Sequence, residues 1–247
     1  QPSYSGNPDS GINVSRTGWI PAIYPFIEQQ PLYNGMVPYI RGDHGYVIPR
    51  LWPGGGTIVP MLFCPSCPGQ GKNSHKGEPG ESPTVWGNYV VCMGSTGTKI
   101  GNDSTATALN GMFYARSKTS FRSLADGSSN TLMTSEIRLL MGFEGPDNSS
   151  NDWRGCYLNQ YGLTAWFSTM FPPNTAASDE VLMCINDPHA PCLFGSTNNR
   201  IFARSAHTGG VNGGLADGSV RFIPQTIDAD VYTWLGMRDS GKPIPAF

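Results

Sequence analysis

Arg204-Ser-Ala-His207-Thr-Gly-Gly-Val-Asn212-Gly-Gly-Leu-Ala-Asp217-Gly-Ser-Val-Arg-Phe-Ile223 is the stretch whose reading decides the fold. Two segments, 211–216 and 219–223, can run as strands on either side of Asp217-Gly218. Asp-Gly readily takes the positive φ values of a type I′ turn, so the stretch reads as a β-hairpin. His207 stands just upstream, separated from Asp217 by nine residues.

Beyond the hairpin, Asp228 is placed to cap a helix, with Ile227 before it as a hydrophobic staple. Ile227, Val231, Trp234 and Leu235 follow at i, i+4, i+7 and i+8, which is one buried stripe, and Gly236 supplies the stop. Earlier in the chain, 85–93 (Val-Trp-Gly-Asn-Tyr-Val-Val-Cys-Met) is aromatic and β-branched and reads as a strand. Residues 132–140 fit a strand or a helix. Trp19, Ile20, Ile23, Tyr24 and Ile27 lie at helical spacing, but Pro21 and Pro25 confine that helix to short turns. Residues 1–18 read as an extended polar lead-in, and 19–247 as one domain. Loops are expected over 41–58, 68–84, 143–155 and 172–200; loops this long in a compact domain are often functional or interface-forming. Leu124-Ala-Asp126-Gly127-Ser128 recurs as Leu215-Ala-Asp217-Gly218-Ser219. Their flanks differ and no fixed period follows, so the echo reads as one good turn used twice.

Composition narrows the function classes. The 247 residues can bury a sizeable core. Gly (31) and Pro (21) are abundant, which fits turns and ordered loops rather than a helical protein. Only 14% of residues are charged and the net charge is −2, so no basic patch for nucleic acid and no acidic tail is present. No run of about 18 apolar residues occurs, so no segment spans a membrane as a helix. No secretory signal peptide is visible.

The chain has six cysteines, Cys64, Cys67, Cys92, Cys156, Cys184 and Cys192. An even number in a loop-rich chain favours disulfides, without choosing a pairing. Cys184 and Cys192 flank a short loop that a bridge between them would close. Cys64-Pro-Ser-Cys67 has the spacing of redox and zinc sites. A redox site would want a helix within a thioredoxin-like unit, and Pro68-Gly69 follows instead. A zinc site would want a second Cys-x-x-Cys or a His pair at sensible spacing. A structural disulfide is the preferred reading.

The polar candidates divide in the same way. His207, Asn212 and Asp217 suit a metal or polar ligand, or they pin and turn the hairpin. Asp126, Asn130 and Glu136 are oxygen donors suited to calcium, or turn residues, though 126–130 is no EF-hand loop. The structural reading is preferred for both sets. Tyr46, Trp52, Trp153 and Tyr157 are aromatic residues of the loops that suit sugar stacking. Asn13, Asn102 and Asn148 fit the glycosylation acceptor pattern. The histidines, His44, His75, His189 and His207, neighbour no nucleophile motif. Gly-x-Ser-x-Gly, His-Glu-x-x-His and a phosphate-binding loop are all missing. The expectation is a protein without catalysis.

Six ordered phrases together carry a family resemblance: 19–33 (ending Glu28-Gln-Gln-Pro-Leu-Tyr33), Phe63-Cys64-Pro-Ser66, 123–136 (Asp126-Gly-Ser-Ser-Asn130-Thr through Glu136), Phe171-Pro-Pro-Asn174, the His207 to Gly218 string, and Leu235-Gly-Met-Arg238-Asp-Ser-Gly241. The chain resembles a planctomycete-type family of prepilin-like proteins of unknown function. Members of that family usually open with a prepilin leader and a long apolar helix, and this chain starts roughly where that helix would end. The family usually has an acidic residue at position 67, so Cys67 looks like a gained disulfide partner. The resemblance also tips 132 onward toward a strand. It implies an α+β fold, mainly an antiparallel sheet with few helices and long loops, like the globular head of a pilin. It further implies an exported subunit of a filament, pseudopilus or surface assembly that associates with its own kind. The alternative is a secreted module that binds a glycan or a metal, with calcium suggested by pilin-like proteins that hold it in C-terminal loops.

Overall fold

The computed structural model describes residues 18–40, 52–67, 85–99, 108–114, 117–140, 152–156, 158, 164–245 and 247. Its centre is a five-stranded sheet in the order β4-β1-β3-β8-β9. The strands are β1 (Tyr89–Gly94), β3 (Leu132–Glu136), β4 (Trp166–Ser168), β8 (Gly210–Leu215) and β9 (Val220–Pro224). All neighbours pair antiparallel except β1 and β4. Two small sheets join β2 (Thr98–Lys99) to β7 (Asn198–Asn199), and β5 (Asp179–Glu180) to β6 (Cys192–Leu193). With three α-helices among the described residues beside a mainly antiparallel sheet, the class is α+β.

The hairpin forms with β8 and β9 in register from Gly210↔Pro224 to Gly214↔Val220. Its turn is not type I′. The Gly218 amide donates to the Leu215 carbonyl (3.0 Å) and the Leu215 amide to the Ser219 carbonyl (2.8 Å), leaving a three-residue loop. Among the loop residues only Gly218 has a positive φ, 87°. Asp217 keeps an ordinary backbone because Oδ1 accepts from the Ser219 amide and hydroxyl at 2.8 and 2.6 Å. Those bonds, the hydroxyl first, hold its carboxyl below the usual range. The echoed turn has the same geometry: Gly127 has φ 90° and its amide donates to the Leu124 carbonyl. The two turns touch, since the Asp217 amide donates to the Ser128 carbonyl.

Helix α1 (Ile20–Ile23) and the 3-10 turn Tyr24–Phe26 are short, as Pro21 and Pro25 require. Helix α2 (Gln30–Ile40) is an addition to the sequence reading. Pro31 sits near its start, where a missing amide costs nothing, and Met36 anchors it in the core. Helix α3 (Ala229–Leu235) begins as expected, with Asp228 Oδ1 accepting from the amides of Asp230 and Val231, both at 3.0 Å. Tyr232, rather than Trp234, is its fully buried aromatic. Gly236 ends the helix with φ −76°, so it serves no left-handed cap. It is needed for contact, because a Cβ there would stand 1.9 Å from Thr169 Oγ1.

One contiguous core extends from Trp19 to Leu235 and covers both faces of β1, whose residues Val90 to Met93 are wholly buried. Asp179 ties the 172–200 region to this core. Its carboxylate pairs with Arg154 Nη1 at 2.7 Å and with Arg204 Nη1, and it accepts the Phe202 amide at 2.9 Å. Burial alone would lower the Arg154 pKa, but Asp152 and then Asp179 outweigh it and raise it. The two sheet edges differ. Beyond β4 the chain returns, with Ser168 donating to the Ile201 carbonyl at 2.8 Å. Beyond β9 no strand lies among the described residues.

Candidate functional site

The site is built on the row of the sheet that starts at Tyr89. Tyr89 pairs with Glu136 across β1 and β3. Continuing the Thr134↔Gly214 register places Asn212 opposite Glu136, and Asn212 in turn pairs with Phe222. In-register neighbours share a face, so these four side chains line one face of the sheet. Asn212 holds the Glu136 carboxylate from two sides, its side-chain amide donating to Oε1 at 3.0 Å and its backbone amide to Oε2 at 3.3 Å.

Two loops cover Glu136. The first carries Cys64, which follows the 3-10 turn Pro60–Leu62. Asn88, wholly buried, fixes it: Oδ1 accepts the Cys64 amide at 3.0 Å and Nδ2 donates to the Ile137 carbonyl at 2.9 Å. The second carries His207 into β8. Its amide donates to Ser205 Oγ at 2.9 Å, and Ser205 Oγ donates to the Gly210 carbonyl at 2.9 Å. Asn174 Oδ1 accepts the Ser205 amide at 3.0 Å. Asn174 holds a left-handed backbone, φ 55°, a conformation that Asn tolerates better than most residues.

The result is a three-residue cluster. His207 Nε2 stands 3.5 Å from Cys64 Sγ and 3.4 Å from Glu136 Oε1. The ligand atoms of all three lie within 4.8 Å of one another. Cys64 and Glu136 are buried, while the His207 side chain is 28% exposed and gives the cluster its side toward solvent. Burial raises the Cys64 pKa above its ordinary value; a backbone bond from Ser66 opposes this, and the charges of Glu136 and Cys67 add to it. Tyr89 is raised mainly by burial, then by Cys64 and Glu136.

This is not the arrangement of a cysteine nucleophile. A relay would place the carboxylate on Nδ1 of the imidazole and the thiol on Nε2. Here both contacts converge on Nε2. The thiol pKa moves upward, away from the depressed value of a reactive cysteine.

The sequence-predicted site residues fall in three places. Glu136, His207 and Asn212 come together. Asp126 lies elsewhere: its carboxylate accepts the Ser240 and Gly241 amides at 2.5 and 2.9 Å, and Asn130 Nδ2 donates to the Asp126 carbonyl. Asp217 is spent on the hairpin turn. The oxygen set suited to calcium is therefore not assembled. Of the six cysteines read as disulfide candidates, Cys184 and Cys192 form a disulfide. Cys64, Cys67, Cys92 and Cys156 are buried thiols. Cys67 is turned to the backbone of Leu139, accepting its amide at 3.4 Å and lying 3.6 Å from its carbonyl, so it does not bridge to Cys64. Trp52 is buried and Trp153 packs against the core, so neither offers a sugar-stacking face. Tyr46, Tyr157, His44, His75, Asn13, Asn102 and Asn148 lie outside the described residues. Asn88 is the functional residue that sequence reading missed; a polar residue inside the apolar run 85–93 was its only signal.

Over residues 2–230 the chain matches the family described as a protein of unknown function (DUF1559). The chain belongs to that family. No curated protein and no solved structure gave a significant match. No helix among the described residues of this family member is long and apolar enough to cross a membrane.

Proposed function

We propose that this DUF1559 protein is an exported, non-catalytic structural subunit, pilin-like in its globular part, that joins copies of itself into a filament or surface assembly through the β9 edge. The observation that carries this reading is the state of that edge. Val220 is 70% and Phe222 46% exposed on a strand that pairs with β8 on one side and has no strand on its outer side among the described residues. Natural sheets usually blunt such edges, because unpaired strand amides and carbonyls recruit further strands. The one charge on this edge, Arg221, lies over the Phe247 ring at 5.3 Å. A net charge of −2 adds little self-repulsion. The Cys184–Cys192 disulfide supports export, since such bonds persist in oxidising compartments. The convergence of both partners on one nitrogen of His207 speaks only against a cysteine–histidine relay.

Sedimentation velocity on the wild-type chain and on Val220→Glu/Phe222→Glu tests the contact. Concentration-dependent association in the wild type, lost in a variant with unchanged circular dichroism, is the expected result. A wild-type monomer at every concentration, or association that the variant leaves intact, overturns the edge as the contact.

A further inference from the structure

We infer that Cys64, Glu136 and His207 bind one divalent cation of the zinc class, with a coordination position left open on the solvent side. Thiolate, imidazole and carboxylate are the zinc donors, at about 2.3, 2.0–2.1 and 2.0–2.2 Å from the metal. A tetrahedron with those bond lengths has a sulfur–nitrogen edge of about 3.5 Å and a nitrogen–oxygen edge of about 3.4 Å. The observed Cys64 Sγ to His207 Nε2 and His207 Nε2 to Glu136 Oε1 separations are 3.5 and 3.4 Å. Two edges of the polyhedron are therefore present, sharing one nitrogen, which is how ligands stand around a common ion.

Charge and support agree with this. Thiolate and carboxylate together neutralise a divalent ion, which solves the burial of both groups in a weakly polar setting. Asn212 grips Glu136 from both sides, and Asn88 fixes the backbone of Cys64, so two of the three ligands are oriented from behind as metal sites require. Sulfur selects against calcium and magnesium, which take oxygen. Three protein ligands leave a fourth position for water or a donor from a bound molecule. It opens beside His207, the exposed member. Among the described residues, Tyr89 and Cys67 are further titratable groups that interact with the cluster. The site goes beyond the assembly reading and does not rest on it.

Cobalt(II) titration of the full chain tests the inference, because a cobalt–thiolate bond gives a near-ultraviolet charge-transfer band. One cobalt per chain with that band is expected, displaced by zinc. Cys64→Ser should abolish the band, His207→Gln should weaken binding at least about 10-fold, and Cys67→Ser should leave both unchanged. If a variant fails to fold, alkylation of the wild type mapped by mass spectrometry decides instead: zinc should shield Cys64. A folded wild type that takes up no cobalt and gains no shielding overturns the site. So does a band that survives Cys64→Ser or vanishes with Cys67→Ser.

Discussion

His207 Nε2 lies 3.5 Å from Cys64 Sγ, although 143 positions separate the two residues in sequence. The contact exists because each loop is held independently, Cys64 by Asn88 and His207 by Ser205 and Asn174. Glu136, at the end of β3, is the fixed point both loops close upon.

Asn212→Ala removes the side-chain donor to Glu136 Oε1 and leaves the ligand set intact. Zinc affinity should fall about 10–100-fold, the usual cost of losing a supporting bond behind a metal ligand. Competition against a chromophoric chelator measures this, and an unchanged affinity would mean that Asn212 does not position Glu136.

Asp179 is shared by two buried guanidiniums. Asp179→Ala takes this carboxylate from both, leaving Arg154 to Asp152 alone, and the expected loss is about 3–5 kcal/mol of folding stability. Urea denaturation checks it. A loss under about 1 kcal/mol would show that Arg154, still paired with Asp152 at 2.5 Å, carries the region alone.

Alkaline pH should destabilise the fold. Burial pushes the Cys92 thiol up to about 12, and raises the phenols of Tyr24 and Tyr232. Groups with raised folded pKa values contribute fully below their unfolded values, about 8.5 for Cys and 10 for Tyr, and lose that contribution as pH rises toward the folded ones. Stability should be insensitive to these groups up to about pH 8.5 and then decline, by up to about 1.4 kcal/mol per pH unit for each group. The Tyr232 hydroxyl is buried and finds no partner among the described residues. Tyr232→Phe should therefore be no less stable at pH 7 and lose less between pH 10 and 11.

Gly218 and Gly236 make opposite predictions from the same residue type. Nothing lies within 4 Å of a Cβ at Gly218, so Gly218→Ala pays only backbone strain, about 1–2 kcal/mol. Gly218→Asn should recover part of that. At Gly236 the backbone is ordinary and the clash with Thr169 decides. There Gly236→Ala should be destabilising, and Gly236→Ala/Thr169→Ser should not recover it, because the hydroxyl is the nearest atom.

The local parts of this protein are legible in its sequence. Asp228 caps its helix, Pro21 and Pro25 shorten theirs, and the hairpin centres on Asp217-Gly218 because these effects act within a few residues. The turn type was not legible: Asp217 prefers bonding Ser219 to adopting a positive φ. The cluster was half legible. Glu136, His207 and Cys64 each stand out in separate phrases, but Cys64 has no His pair near it in sequence to mark it as a metal ligand. Spacing rules see only ligands close in sequence, and here β-sheet register and the Asn88 clamp supply the proximity. Cys67 had no such signal, since its sulfur is occupied by a backbone, that of Leu139, which no motif encodes.

Negative-stain electron microscopy of the protein isolated from its native source, beside the Val220→Glu/Phe222→Glu variant, tests the assembly claim most directly. The account predicts ordered filaments or sheets that the variant cannot form. Dispersed single particles in both preparations would contradict it.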